Sequence, residues 1–163
     1  MNNVPRTAIK TRARLAEFPP LRLYFAPLKT TAGKSAEKRR RRPAPGPLER
    51  LRAICRTLPE TTEKVAWGEP TFRVGGKLFA QLDDHHHGAD HFAVWLAAPL
   101  GAQEMLVYAD PERYFVPPYV GRRGWVGVRL DGRVDWVAVD RLARDAYRQV
   151  APRRLAAALA PSR

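Results

Sequence analysis

Thr71-Phe72-Arg73-Val74-Gly75-Gly76-Lys77-Leu78-Phe79-Ala80-Gln81-Leu82 is the stretch that decides the fold. Two short runs with apolar residues interleaved among polar ones flank a Gly-Gly pair, and a two-residue glycine turn between such runs is a strong hairpin signal. The pattern therefore predicts strands over 71–74 and 77–82. Upstream, Thr62 to Trp67 reads as another strand, broken by Gly68-Glu69-Pro70. Downstream, a polar loop over 83–90 leads to a strand from His91 to Leu96, and Gly124 to Leu130 reads as one more. Asp131-Gly132 is a turn that leads into an extended segment from Arg133 to Val137.

Helices bracket these strands. Pro47 suits a first helical position, where its missing N–H would be unpaired anyway. Leu48, Leu51, Cys55 and Leu58 then fall at helical spacing, up to Pro59. Pro99-Leu100-Gly101 opens a short helix to about residue 109, with Met105, Leu106 and Tyr108 as its packed face. Near the C-terminus Val139, Ala143, Ala146 and Val150 make an apolar stripe opposite Arg141, Arg144 and Arg148, with Asp140 as the expected cap. Pro152 interrupts it, and 153–159 continues as a terminal helix. The order of elements is an α+β layout, with helices against one face of an antiparallel sheet. Trp67, Phe72, Phe79, Trp95 and Trp125 sit in strand patterns, so core packing is expected for most of them.

Charge divides the 163-residue chain in two. Residues 1–47 hold twelve Lys/Arg, two acids and seven of the fifteen prolines, including the run Lys38-Arg39-Arg40-Arg41-Arg42. Repelling charges and missing backbone donors oppose packing, so 1–47 is read as a disordered basic arm ahead of a domain at 48–160. The 23 Arg against six Lys fit GC-rich coding, under which such an arm can also be an overextended translation start. Residues 48–163 hold seventeen Lys/Arg and fourteen acids, which is close to balance. The longest stretch without Asp, Glu, Lys or Arg is the thirteen residues from His91 to Gln103. A membrane span needs roughly 20 apolar residues, so none is expected. The N-terminus has no apolar signal region, and the single cysteine, Cys55, excludes an internal disulfide. These features fit a cytoplasmic protein.

The segment from Trp67 to Ala80, the run Pro117-Pro118-Tyr119-Val120-Gly121, the run Gly124 to Val128 and the closing helix together resemble the MmcQ/YjbR-like family. The likeness covers about residues 48–160. It implies a frataxin-like (CyaY-like) two-layer sandwich and that family's description as a DNA-binding "double wing" protein. Many members carry a Ser-Tyr pair in the last helix, where this chain has Ala146-Tyr147. Frataxin-type iron binding needs an acidic first helix, and Leu48 to Leu58 has one acid against three arginines.

Three constellations could carry chemistry. Arg73 and Lys77 straddle the glycine turn, and Arg122-Arg123 lies between Tyr119 and Trp125. With Lys38 to Arg42, these cations suit nucleic-acid phosphates, and aromatics beside arginine suit stacked bases. Tyr114, Tyr119 and Trp125 could instead rim a pocket for a planar ligand. In the run Asp83-Asp84-His85-His86-His87-Gly88-Ala89-Asp90-His91, the residues His85, His87 and His91 are candidate metal ligands, against a plain polar loop as the stronger expectation. No P-loop, dinucleotide glycine fingerprint, His-Glu-x-x-His or Gly-x-Ser-x-Gly motif occurs. The sequence thus points to DNA as partner, with no cofactor and no catalytic motif. A small-ligand or metal-binding domain is the alternative.

Overall fold

The computed structural model describes residues 44–85 and 90–159. The expected arm, with Lys38 to Arg42, lies outside the described residues except for its last four positions. His87 lies outside them too. Helix α1 (Pro47–Arg56) begins on its proline and ends before the Pro59 turn. Strands β1 (Thr62–Ala66), β2 (Glu69–Val74), β3 (Lys77–Asp84) and β4 (Phe92–Ala97) follow as a meander. Then come α2 (Ala102–Ala109), the two-residue β5 (Tyr114–Phe115), a 3-10 turn (Gly121–Arg123) and β6 (Trp125–Arg129). Helices α3 (Trp136–Val150) and α4 (Arg153–Ala158) close the chain. The six strands form one antiparallel sheet in the order β1-β2-β3-β4-β6-β5.

One apolar cluster joins the helices to the sheet. Leu51, Cys55 and Leu58 at α1, Leu106 of α2 and Val139, Leu142, Ala143, Ala146 and Tyr147 of α3 meet Phe72, Val74, Leu82, Val94, Leu96, Val126 and Val128. Strand residues alternate between faces, so β4 turns Val94 and Leu96 toward the helices and Ala93 and Trp95 away from them. The result is an α+β fold with its helices on one face of an open sheet. Tyr147 fastens two layers at once. Its ring meets Phe79 edge-on at 5.6 Å, and its hydroxyl donates to the Pro59 carbonyl at 2.8 Å.

Several expectations need correction. The break at Gly68-Glu69-Pro70 is only a two-residue turn, Trp67-Gly68, and β2 already starts at Glu69. Trp67 is therefore 71% exposed at a hairpin tip rather than in the core. Asp135, not Asp140, caps α3, accepting from the N–H groups of Val137 and Ala138 at 3.1 Å each. The extended segment expected over 133–137 is thus the entry to α3. In α2, Leu106 is buried while Tyr108 is 92% exposed. Strand β5 was not expected at all; two residues are too few to show a period.

Candidate nucleic-acid interface

Strand register decides which loops share an end of the sheet. Ala80 faces Leu96, and Ala97 faces Trp125, so the start of β3, the end of β4 and the start of β6 lie together. The Gly75-Gly76 turn joins β2 to β3 at this end, with φ of +56° and +77° that only glycine adopts freely. A Cβ on Gly75 would sit 3.4 Å from Pro152, so the tip abuts the corner between α3 and α4. The hairpin is buttressed there, and Arg153, exposed, stands beside it.

Arg73, Lys77, Arg122 and Arg123 all reach this end. Antiparallel neighbours are spaced by ~4.8 Å, so the axes of β3 and β6 lie roughly 10 Å apart across β4. Lys77, Arg122 and Arg123 are exposed, and none has an ion-pair partner among the described residues. Arg73 is half-buried and bends back so that its Nη1 donates to the Gly76 carbonyl at 3.4 Å. The acids here are Glu60, bound by Arg154 at 2.9 Å, and exposed Glu104 in the first turn of α2. Arg154 holds the Glu60 carboxyl below its ordinary pKa.

The Arg122-Arg123 turn is built firmly. Gln103, 8% exposed, donates its Nε2 to the carbonyls of Gly121 and Trp125. Gly121 N–H donates to Pro117 at 3.0 Å, and a Cβ on Gly121 would lie 2.4 Å from Val116 Cγ1. Val116, Pro117, Pro118, Tyr119, Gly121 and Arg122 line a shallow open groove.

The three aromatic candidates do not share a pocket. Tyr114 points into the core at 0% exposure, Tyr119 is 75% exposed at the groove, and Trp125 is half-buried on β6. Consecutive residues of β5 face opposite ways, so it is Phe115 that turns to the open sheet face.

The histidine loop lies at the other end of the sheet. His85 is exposed and meets Asp84 Oδ1 at 2.6 Å, a hydrogen bond that raises its pKa. That contribution is complete below the ordinary histidine pKa and is lost as pH rises through the raised one. His91 packs against Phe115 with ring centroids 4.6 Å apart and planes tilted by 60°, its Nε2 3.6 Å from Asp83 Oδ2. No group of three or more His, Cys, Asp or Glu among the described residues could hold a metal ion. Cys55 is fully buried and burial pushes its thiol pKa up, which makes it a core residue and no nucleophile at neutral pH.

The YjbR family model matches residues 56–149, which includes both cationic turns and the whole sheet from β1 to β6. The chain belongs to the YjbR family. No curated protein matches it. Among solved structures it is similar to the crystal structure of Deinococcus radiodurans protein DR2400, family-model domain DUF419. The two are 25% identical with a TM-score of 0.56, over 66% of this chain and 80% of that one. Among the described residues of this YjbR protein, no helix is long and apolar enough to cross a membrane.

Proposed function

We propose that this YjbR protein binds nucleic acid through the end of the sheet that carries Lys77, Arg122 and Arg123. The observation that carries this reading is the register. It gathers two cationic turns, separated by some 45 residues of sequence, to either side of one strand end, and among the described residues neither turn has an ion-pair partner. Cations left without carboxylates are available to displace counterions from phosphates, and two turns roughly 10 Å apart can touch different phosphates of one backbone. The near-balanced charge of residues 48–163 means that this part of the chain would bind through a local contact rather than through its net charge.

A salt titration tests it. Binding of the full chain to labelled DNA should show log K falling linearly with log salt. Replacing Lys77, Arg122 and Arg123 together by Ala should lower that slope by two to three, at about 0.9 per lost contact. An unchanged slope would remove this end of the sheet as the interface.

A further inference from the structure

Leu100 is 93% exposed although the chain is anchored on both sides of it. Ala97 ends β4 at 6% exposure, and Ala102 and Gln103 open α2 at 7% and 8%. Between them the Ala102 N–H donates to the Pro99 carbonyl at 3.0 Å, and Gly101 takes φ of +81°. The leucine is thus held out on a short, fixed turn. A lone exposed leucine is ordinary; the position of this one is not. Leu100 lies beyond Leu96 and Lys77 precedes Ala80, so both stand on the same side of the Ala80–Leu96 pair. Across β4, Ala97 pairs with Trp125, and a Cβ on Gly124 would lie 4.0 Å from the Ala98 carbonyl oxygen. The apolar tip therefore stands at the end of the middle strand, with Lys77 to one side and Arg122 and Arg123 to the other.

We propose that Leu100 is a wedge that enters the minor groove of duplex DNA at one base step, while the flanking cations hold the two backbones, so that binding bends the duplex. The proposal rests on the reading of this end as a nucleic-acid surface and adds what that surface does to its ligand. The minor groove is ~6 Å wide, narrower than the roughly 10 Å between the axes of β3 and β6. The two turns can therefore reach backbones on either side of a tip that enters between them. An apolar side chain gains nothing from phosphates, but between two partly unstacked base pairs it leaves water. Opening a step costs less at the flexible TA and CA/TG steps than in a stiff A-tract, so a preference arises without hydrogen bonds to bases. Glu104, exposed in the first turn of α2, is the acid nearest the tip in sequence, and three cations outweigh its repulsion of phosphate. A tip fixed at both ends loses little freedom on insertion.

The test uses the full chain and two DNA duplexes of about twenty base pairs and equal composition, at about 150 mM salt. Both are labelled at their ends for energy transfer; one has a central TA step and the other a central A-tract. The parent should bind the TA duplex about fivefold more tightly and shorten its end-to-end distance. Leu100→Ala should weaken that binding about tenfold and abolish the shortening, with the salt slope kept because no cation is lost. Leu100→Gln, similar in size but polar, should behave like Leu100→Ala, and Leu100→Met like the parent. Because Leu100 is 93% exposed, all three should melt at the parent's temperature, which separates insertion from folding. A parent that binds without shortening either duplex overturns the wedge, and so does a Leu100→Ala variant that shortens the TA duplex as the parent does. If the Lys77, Arg122 and Arg123 triple replacement still weakens binding in that case, the cationic surface stands. If the triple replacement weakens binding to neither duplex, the surface itself falls and the wedge with it.

Discussion

Asp135 is 8% exposed and accepts two backbone N–H groups at the start of α3, each of which would otherwise be unpaired at a helix terminus. Asp135→Ala should therefore cost about 1 kcal/mol in urea denaturation, and Asp135→Asn much less. Asp140 lies a turn later, where it pairs with Arg144 at 2.9 Å across i,i+4, and Asp140→Ala should cost about 0.5 kcal/mol or less. If Asp140→Ala proved the costlier of the two, the capping assignment would be reversed. The sequence offers both aspartates before the same apolar stripe, and periodicity alone does not separate a cap from a first-turn acid. Trp136-Val137 carries a β-like signature, and the tertiary contact of Trp136 with Arg50, at 5.4 Å, belongs to the helix start instead. Local propensity was overridden by what the residue packs against. Tyr147 acts as a structural tie to Pro59 and Phe79.

Strand pairing was legible wherever a strand had both a period and a turn, as at Gly75-Gly76, and illegible where either was missing. Trp67-Gly68 is also a two-residue turn, with φ of +56° and +86°, but a tryptophan at its first position hides it. The edge strand β5 has two residues and contributes through one of them. Phe115 lies across Gly127 of β6, so that a Cβ on Gly127 would come 2.3 Å from its Cζ. His91 flanks the same ring at 4.6 Å and Arg129 at 5.3 Å, so it has little room to swing aside. Gly127→Ala should consequently destabilise the protein by about 1–3 kcal/mol through overpacking, although alanine on its own suits a strand no worse than glycine. The effect should shrink sharply in a Phe115→Ala background. A thermal or urea double-mutant cycle reads this coupling directly, and strict additivity of the two changes would refute the contact.

At the scale of the whole molecule the two ends of the sheet differ in how their cations are placed. One end gathers Lys77, Arg122, Arg123 and Arg153; at the other, Arg113, Arg129 and Arg133 stand among Asp84, Asp90, Asp110 and Asp131, with Asp131 accepting the Phe92 N–H at 2.9 Å. Composition shows only the near balance of residues 48–163, because counting charges discards where the strands place them. The four cations named from the sequence were legible as two separate pairs. Their common end follows only from the order β3-β4-β6, in which a strand from after α2 pairs beside β4. This placement makes the expected binding a matter of position rather than of net charge, and the two can be distinguished at equal charge loss. Arg133 is exposed, follows the Asp131-Gly132 turn at the other end, and has no ion-pair partner among the described residues. Arg133→Ala should leave the salt slope for nucleic acid unchanged, whereas Arg123→Ala should lower it by about 0.9. Both variants remove one charge from an exposed loop, and neither touches the core cluster. Equal slopes for the two would mean that the protein attracts polyanions by its overall charge of +13, with no interface at the end of the sheet.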